Sequence, residues 1–366
     1  MKRLCFFTKH EISWGSSRER VGVYIDSLKG KGYKIEVVSV IPNRLSRIWI
    51  AGTGRRLFNR VYSFLYSRIL KNLKFISLIT KARRFDLILI QKVNLAYPLV
   101  WLLRARNRNI IFDFDDLCFE LKGIFGCALE APKVLSLYKH IIAGNSNLAE
   151  LAIQAKGGES VTIIPTAIDC KAYPSRLKSN GGRPLVVGWA GSGENHLLNL
   201  GILVGPLKDL SQKYNFIFKL VGAMGSRKIK EMFVFLSDKF VAIDWVDNAE
   251  LPRIIQTFDI GVMPLLENDN SRCKCGFKAL QYMAAGAAAV ISPVGVNSQI
   301  VDDGVNGLLA HDELEWAEKI ASLICDSDRR AKLAQKARET VEEFYSLDTA
   351  RKVFMEVVEH SAVLRK

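Results

Sequence analysis

Short apolar runs alternate with stretches of helical periodicity along almost the whole chain, and no other feature constrains its fold as strongly. Parallel strands cannot be joined by hairpins, so each needs a crossover, and a helix laid on the sheet is the usual one. Leu4–Phe7, Tyr33–Val40, Leu87–Ile90, Ile110–Phe114, His140–Ala143 and Val161–Pro165 read as the strands of one winding. A helix over Arg18–Lys29, with Val21, Ile25 and Leu28 on one face, joins the first two and stops at Gly30 and Gly32. From Cys170 to Pro184 the segment CKAYPSRLKSNGGRP loses the apolar period and collects Pro, Ser, Asn and Gly, as a linker does. A second winding follows, with strands at Leu185–Trp189, Phe216–Gly222, Phe240–Ile243, Ile260–Pro264 and Ala288–Ser292. The predicted class is α/β: two Rossmann-like doubly wound domains facing across a cleft, at 1–171 and 185–345, with a linker at 172–184. With 366 residues, 49% apolar and 24% charged, the chain can fill two cores and lacks the composition of a disordered one.

The formal charge of +15 is unevenly spread: 30 Lys and Arg stand against 13 Asp and Glu up to Asn180, and 22 against 24 beyond it. Val37–Phe85 holds 11 basic residues and no acidic one. On a helical wheel Phe58, Val61, Leu65, Ile69 and Ile76 gather on one side, and Arg56, Arg60, Lys71 and Lys74 on the other. Two readings fit: a crossover helix with a solvated basic face, or a face drawn to an anionic membrane surface. No helix-turn-helix, zinc-finger or RNA-recognition signature accompanies the charge, so nucleic acid is not an expected partner. Seven cysteines without regular spacing make no disulfide framework and point to a reducing compartment. The opening MKRLCFFTKHE has too few apolar residues for a signal peptide. The richest apolar stretch, Leu87–Leu103, is broken by Gln91, Lys92 and Asn94, short of a spanning helix. The expected location is the cytoplasm, with peripheral contact to the inner face of the cytoplasmic membrane.

Chemistry-bearing residues cluster after the strands. The loop Leu266–Gly276 enters a helix beginning near Phe277, whose free amides, with Lys278 in the first turn, make an anion site suited to a diphosphate. A lysine there opposes the helix dipole, so it calls for an anion or else lies solvated on the surface. Gln281 shares its face and is placed to reach a ribose hydroxyl. Tyr282, Met283 and Ala284 read as packing residues, and Gly286 and Gly295 as turns. In GWAGSG, small residues at Gly191, Ser192 and Gly193 let phosphate approach the backbone. No acidic residue ends the next strand, which counts against a nicotinamide cofactor. In the first half, Ser16, Ser17, Arg18 and Arg20 follow strand one at the ligand-binding edge, where Ser16 and Glu19 also match a capping box. DFDD puts Asp115 and Asp116 after a central strand, as a general base, a hydroxyl-orienting pair or a helix cap. Further metal ligands are not evident nearby, and Cys273 and Cys275 are too isolated for zinc, so no metal is expected.

The order SSRER, DFDD, AGNSNLAELA, VTIIPTAID, VVGWAGSG, FDIGVMPL, CGFKALQYMAAG, SPVGVN and DDGVNGLL resembles the retaining nucleotide-sugar glycosyltransferases of the GT-B fold, family 4. The resemblance implies a donor nucleotide on the second domain, an acceptor on the first, and a last helix, here 346–366, crossing back to the first domain. Family members usually carry two glutamates eight positions apart, which fall here on Cys273 and Gln281. The first implies contact with the sugar, for which Glu267 or Asp269 is the available carboxylate, and the second contact with the ribose. The usual basic pair on the diphosphate reduces to Lys278, and Asp115 and Asp116 stand where many relatives have His-Asp. The implied activity is transfer of a hexosyl-type sugar from a nucleoside-diphosphate sugar, with retention and without metal or other cofactor. The expected acceptor is a lipid-linked glycan in cell-envelope polysaccharide synthesis. A non-catalytic sugar-nucleotide-binding relative, and an epimerase or hydrolase of the same architecture, are the alternatives.

Overall fold

The computed structural model describes residues 1–42, 69, 71–118, 132–174, 182–244 and 246–362. Two compact units are present: residues 1–167 with 273–275 and 350–366, and residues 168–272 with 276–349. Arg56 and Arg60, and residues 175–181 of the expected linker, lie outside the described residues.

The first unit holds a parallel six-stranded sheet in the order β2-β1-β3-β4-β5-β6. Its strands are β1 (Arg3–His10), β2 (Lys34–Ile41), β3 (Leu87–Gln91), β4 (Ile110–Phe114), β5 (His140–Ala143) and β6 (Val161–Ile163). Every residue of β3 and β4 is buried, as strands covered on both faces require. The second sheet runs β12-β11-β10-β7-β8-β9, also parallel. It is formed by β7 (Leu185–Ala190), β8 (Phe216–Val221), β9 (Phe240–Ile243), β10 (Ile260–Met263), β11 (Ala288–Ile291) and β12 (Leu308–Leu309). The α/β class and both parallel windings read from the alternation are what the structure contains.

Three local expectations are corrected. The single helix over Arg18–Lys29 is broken into α1 (Gly15–Arg20), a 3-10 turn at Gly22–Tyr24 and α2 (Ile25–Gly30). A Cβ at Gly22 would press on the Ile12 carbonyl oxygen at 2.9 Å, so the chain turns tightly there. The Ser16–Glu19 capping box does not form: α1 begins at Gly15 after Trp14, and Glu19 pairs with Arg18 instead. The basic amphipathic face is inverted on α3 (Lys71–Lys81), where Ile69 and Ile76 are exposed while Phe75 and Leu78 are buried. Lys71 Nζ donates to the Asn94 carbonyl at 3.0 Å, and Lys74 Nζ to the Ser39 carbonyl at 2.5 Å. Phe75 and Leu78 set the phase of the helix, and the two ammonium groups bond to backbone carbonyls of β2 and of the loop after β3.

Helices α3 and α4 (Tyr97–Arg106) cover one face of the first sheet, with Phe75, Leu78, Val100 and Leu103 in the same core as Cys5 and Phe7. The final helix, α7 (Leu347–Ser361), joins this unit from Ala350 onward. Its Phe354 stacks on Tyr24 with centroids 4.1 Å apart, and Glu359 accepts from Lys31 at 2.6 Å.

Candidate functional site

Both sheets gather polar residues at their carboxyl edges, where doubly wound folds take ligands. In the first unit β1, β3 and β4 end side by side. Ser17, buried in α1, donates to Gln91 Oε1 at 2.8 Å, and the Gln91 amide approaches Ser16 Oγ at 3.4 Å. Arg20 is buried and pairs through both nitrogens with Asp113, the first carboxylate of DFDD, and also reaches the Ile164 carbonyl. Burial works against the Arg20 charge, but Asp113 more than offsets it and moves the guanidinium upward. Full burial pushes the Asp113 carboxyl upward as well, against the pull of Arg20. The two-pronged contact favours the charged pair. Arg20 was expected to meet a ligand; it instead ties α1 to the sheet, and Arg18 is held by Glu19.

The other two carboxylates are held by a residue the sequence reading passed over. Lys92, directly after β3, has φ +56°, a left-handed conformation that costs a non-glycine residue about 1–2 kcal/mol. Its Nζ lies 3.0 Å from Asp115 and 2.5 Å from Asp116. Burial alone would raise the Asp115 carboxyl, yet Lys92 and then Arg20 bring it below its ordinary value. Asp116 is partly exposed, its side chain 42% accessible, so it is the member of the pair open to a hydroxyl. Burial, with Lys9 and Lys92 beside it, lowers His10 to about 4 and keeps it neutral at pH 7. Residues 273–275 complete this unit. Cys273 is buried in its core, and the Asn145 amide at the start of α5 (Ser146–Lys156) donates to the Cys273 and Lys274 carbonyls at 3.0 and 3.3 Å. Burial, and next the charge of Asp116, lifts the Cys275 thiol to about 11. The Cys275 thiol is therefore protonated at neutral pH.

In the second unit the corresponding edge is built around α6 (Phe277–Ala284). Gly276 occupies its N-cap with φ +65°, a conformation glycine adopts freely, and no side chain caps the first-turn amides. Lys278 leans across the loop after β7. A Cβ at Gly191 would strike its aliphatic chain and come within 3.0 Å of Trp189, so only glycine leaves room. Its ammonium lies 5.7 Å over the Trp189 ring and 3.3 Å from His196 Nε2. His196, which the sequence reading also passed over, stands edge-on to Trp189 at 5.6 Å. The Asn199 amide nitrogen faces His196 Nδ1 at 3.1 Å, its orientation fixed because Asn199 Oδ1 accepts from the Leu266 N–H. A neutral imidazole has one lone pair, and two donors approach it. Together with the uncapped first turn of α6, the lysine and the imidazole place nitrogen groups at this edge, a setting that suits an anion.

The remaining predicted residues fall into place around it. The Gly191 and Gly193 amides are spent on the Val221 and Gly222 carbonyls at 2.9 Å each, so of this trio the backbone offers phosphate the Ser192 amide. Gln281, on the Lys278 face of α6, is buried with its amide donating to the Tyr173 hydroxyl at 3.1 Å. Tyr282, Met283 and Ala284 are fully buried, and the Tyr282 hydroxyl accepts from the Ala190 N–H at 3.0 Å. Phe277 is partly buried against the same core. Glu267 is exposed and paired with Arg272 at 2.9 Å. Among the described residues no group of three or more His, Cys, Asp or Glu converges as metal ligands would.

Residues 184–326 match the family described as "Glycosyl transferases group 1". Over 155 residues, 42% of this chain and 32% of the relative, the sequence is 33% identical to the D-inositol 3-phosphate glycosyltransferase of Stackebrandtia nassauensis. Over 65 residues, 17% of this chain and 16% of the relative, it is 42% identical to the enzyme of that name from Xylanimonas cellulosilytica. The chain thus spans about a third or less of these curated relatives. A glycosyltransferase from Rickettsia africae superposes with a TM-score of 0.71 at 15% identity, covering 100% of both chains. Anabaena HepE, solved with UDP and glucose, gives 0.68 at 16% identity over 98% of this chain and 100% of its own. At such identities the structural likeness concerns the fold, and that fold is GT-B.

Proposed function

We propose that this chain, with its GT-B fold and its group 1 glycosyltransferase match, transfers a sugar from a nucleoside-diphosphate sugar to a hydroxyl acceptor. The observation that carries the reading is the edge at α6, where Lys278 lies beside Gly191 and 3.3 Å from His196 Nε2 and the first-turn amides have no side-chain cap. As the glycosidic bond breaks, negative charge grows on the leaving phosphate. Preorganised donors stabilise that charge more than the ground state, and in this reading they do so without a metal. Anabaena HepE has been solved with UDP-glucose, which makes a uridine donor the first to test here. Asp116, steadied by Lys92, orients the acceptor hydroxyl. A Lys-paired carboxylate is a weak base, so the departing phosphate takes the hydroxyl proton while the acceptor oxygen bonds to the anomeric carbon on the face the phosphate leaves, which retains the configuration. Release of nucleoside diphosphate should be measured across a donor panel, with inositol phosphate and lipid-linked glycans as acceptors, in EDTA. Turnover that needs both acceptor and Lys278 supports transfer. Binding without release, or donor conversion without acceptor, supports the non-catalytic or the epimerase and hydrolase reading respectively.

A lipid-linked acceptor in envelope polysaccharide synthesis, reached from the cytoplasmic face, belongs to the same proposal. No described helix is long and apolar enough to cross a membrane. What supports peripheral contact is the outer surface of α3 and α4, which exposes Ile69, Leu73, Ile76, Trp101 and Leu102 within a basic stretch. Sedimentation with anionic vesicles should weaken on changing Leu73 and Trp101 to Ser; unaltered sedimentation would remove the membrane from the reading.

A further inference from the structure

The amino edge of the first sheet carries a separate basic cavity. Arg3 opens β1 and Lys34 opens β2, paired in register, while Lys81 ends α3 and Arg84 closes the 3-10 turn leading to β3. The four side chains surround a cavity of about 240 Å³, with Glu36 and Phe85 completing the wall. A second cavity of about 110 Å³ continues from it beneath α3, sharing Glu36, Lys81 and Phe85 and lined further in by Val38 and Leu78. None of the four cationic side chains makes an ion pair or hydrogen bond with a described residue. Four like charges around one cavity repel, and the carboxylates of Glu36 in its wall and of Asp86, which accepts from the Arg3 N–H at 2.7 Å beside it, leave a net positive charge there. Strand β1 is eight residues long, so this edge lies about 23 Å from the carboxyl edge that holds Ser17 and Asp115.

The geometry points to a second ligand site here, one that takes a phosphate group between Lys34, Arg84, Arg3 and Lys81. Glu36 accepts from a hydroxyl or amine on the same ligand, and the neighbouring cavity, where Val38, Leu78 and Phe85 stand beside Lys74 and Ser77, receives the rest of the molecule that bears the phosphate. A soluble organic phosphate and a lipid headgroup share this chemistry. The site is independent of the transferase reading, because it uses no residue of α6 or of the Lys92 cluster.

Calorimetric titration of inorganic pyrophosphate into the full chain carrying Lys278→Ala removes the α6 site from the measurement. Adding Lys34→Ala with Arg84→Ala should weaken the remaining binding about tenfold or more, since each lost charge-assisted contact is worth that much. Lys34→Arg with Arg84→Lys should restore it, and matched melting curves show that folding is intact. Vesicles containing phosphatidate distinguish the sources. Sedimentation lost in the double alanine variant assigns the phosphate to a lipid; sedimentation retained while pyrophosphate binding falls assigns it to a soluble ligand. No saturable pyrophosphate binding, or binding indifferent to Lys34 and Arg84, overturns the proposal.

Discussion

The carboxyl edges of the two sheets are built on opposite electrostatic plans. In the first unit buried charges at the strand ends are paired: Arg20 with Asp113, Lys92 with Asp115 and Asp116. In the second unit Lys278 meets a ring nitrogen of His196 and the face of Trp189. Compensated charges deep in a fold fix backbone positions, because breaking one leaves its partner stranded in low dielectric. A helix start without a side-chain cap and with a lysine in its first turn is instead prepared for an anion. The contrast separates framework from ligand site more sharply than charge alone does.

The largest effect should come from the framework. Arg20→Met leaves Asp113 buried and unpaired and should cost about 3–5 kcal/mol in urea unfolding. Loss of much less would place the pair among the ornamental ones. Lys278→Ala should do the reverse, lowering turnover about 100- to 1000-fold, or about 3–4 kcal/mol of transition-state stabilisation, with the melting temperature little changed. A large stability loss there would erase the contrast. Gly191→Ala should displace the Lys278 chain and weaken donor binding about tenfold, measured as donor KM, because the added methyl occupies its path. The smallest effect is on pH. Asp115 titrates below its ordinary 3.8, so the stability it contributes is present above that value and is lost as pH falls through the depressed one. Unfolding followed between pH 5 and pH 2 should therefore steepen in acid for the native chain. In Lys92→Gln the loss should begin at higher pH.

Much of the fold is legible in the sequence because parallel strands buried on both faces announce themselves as apolar runs such as LILIQ and IIFDF. Lys278 is legible too, since a lysine in a first helical turn after a small-residue loop conflicts with the helix dipole and demands a reason. Lys92 and His196 are not. Each is one polar residue just past a strand or within a loop, and its meaning depends on partners 23 to 82 positions away. The same limit inverted the face of α3. A wheel drawn through Ile69 and Ile76 weighs apolar residues equally, whereas the packing against Phe7 selects Phe75.

Local sequence, through periodicity and loop composition, settled what recurs along the chain: eleven of the twelve described strands, two windings, and a helix opening after a glycine-containing loop. Tertiary structure alone decided which charges are neutralised and which are left waiting. Coulomb interaction acts through space while sequence spacing measures only distance along the chain. Arg20 and Asp113, 93 residues apart, become a framework contact only when β1 and β4 are brought into one sheet.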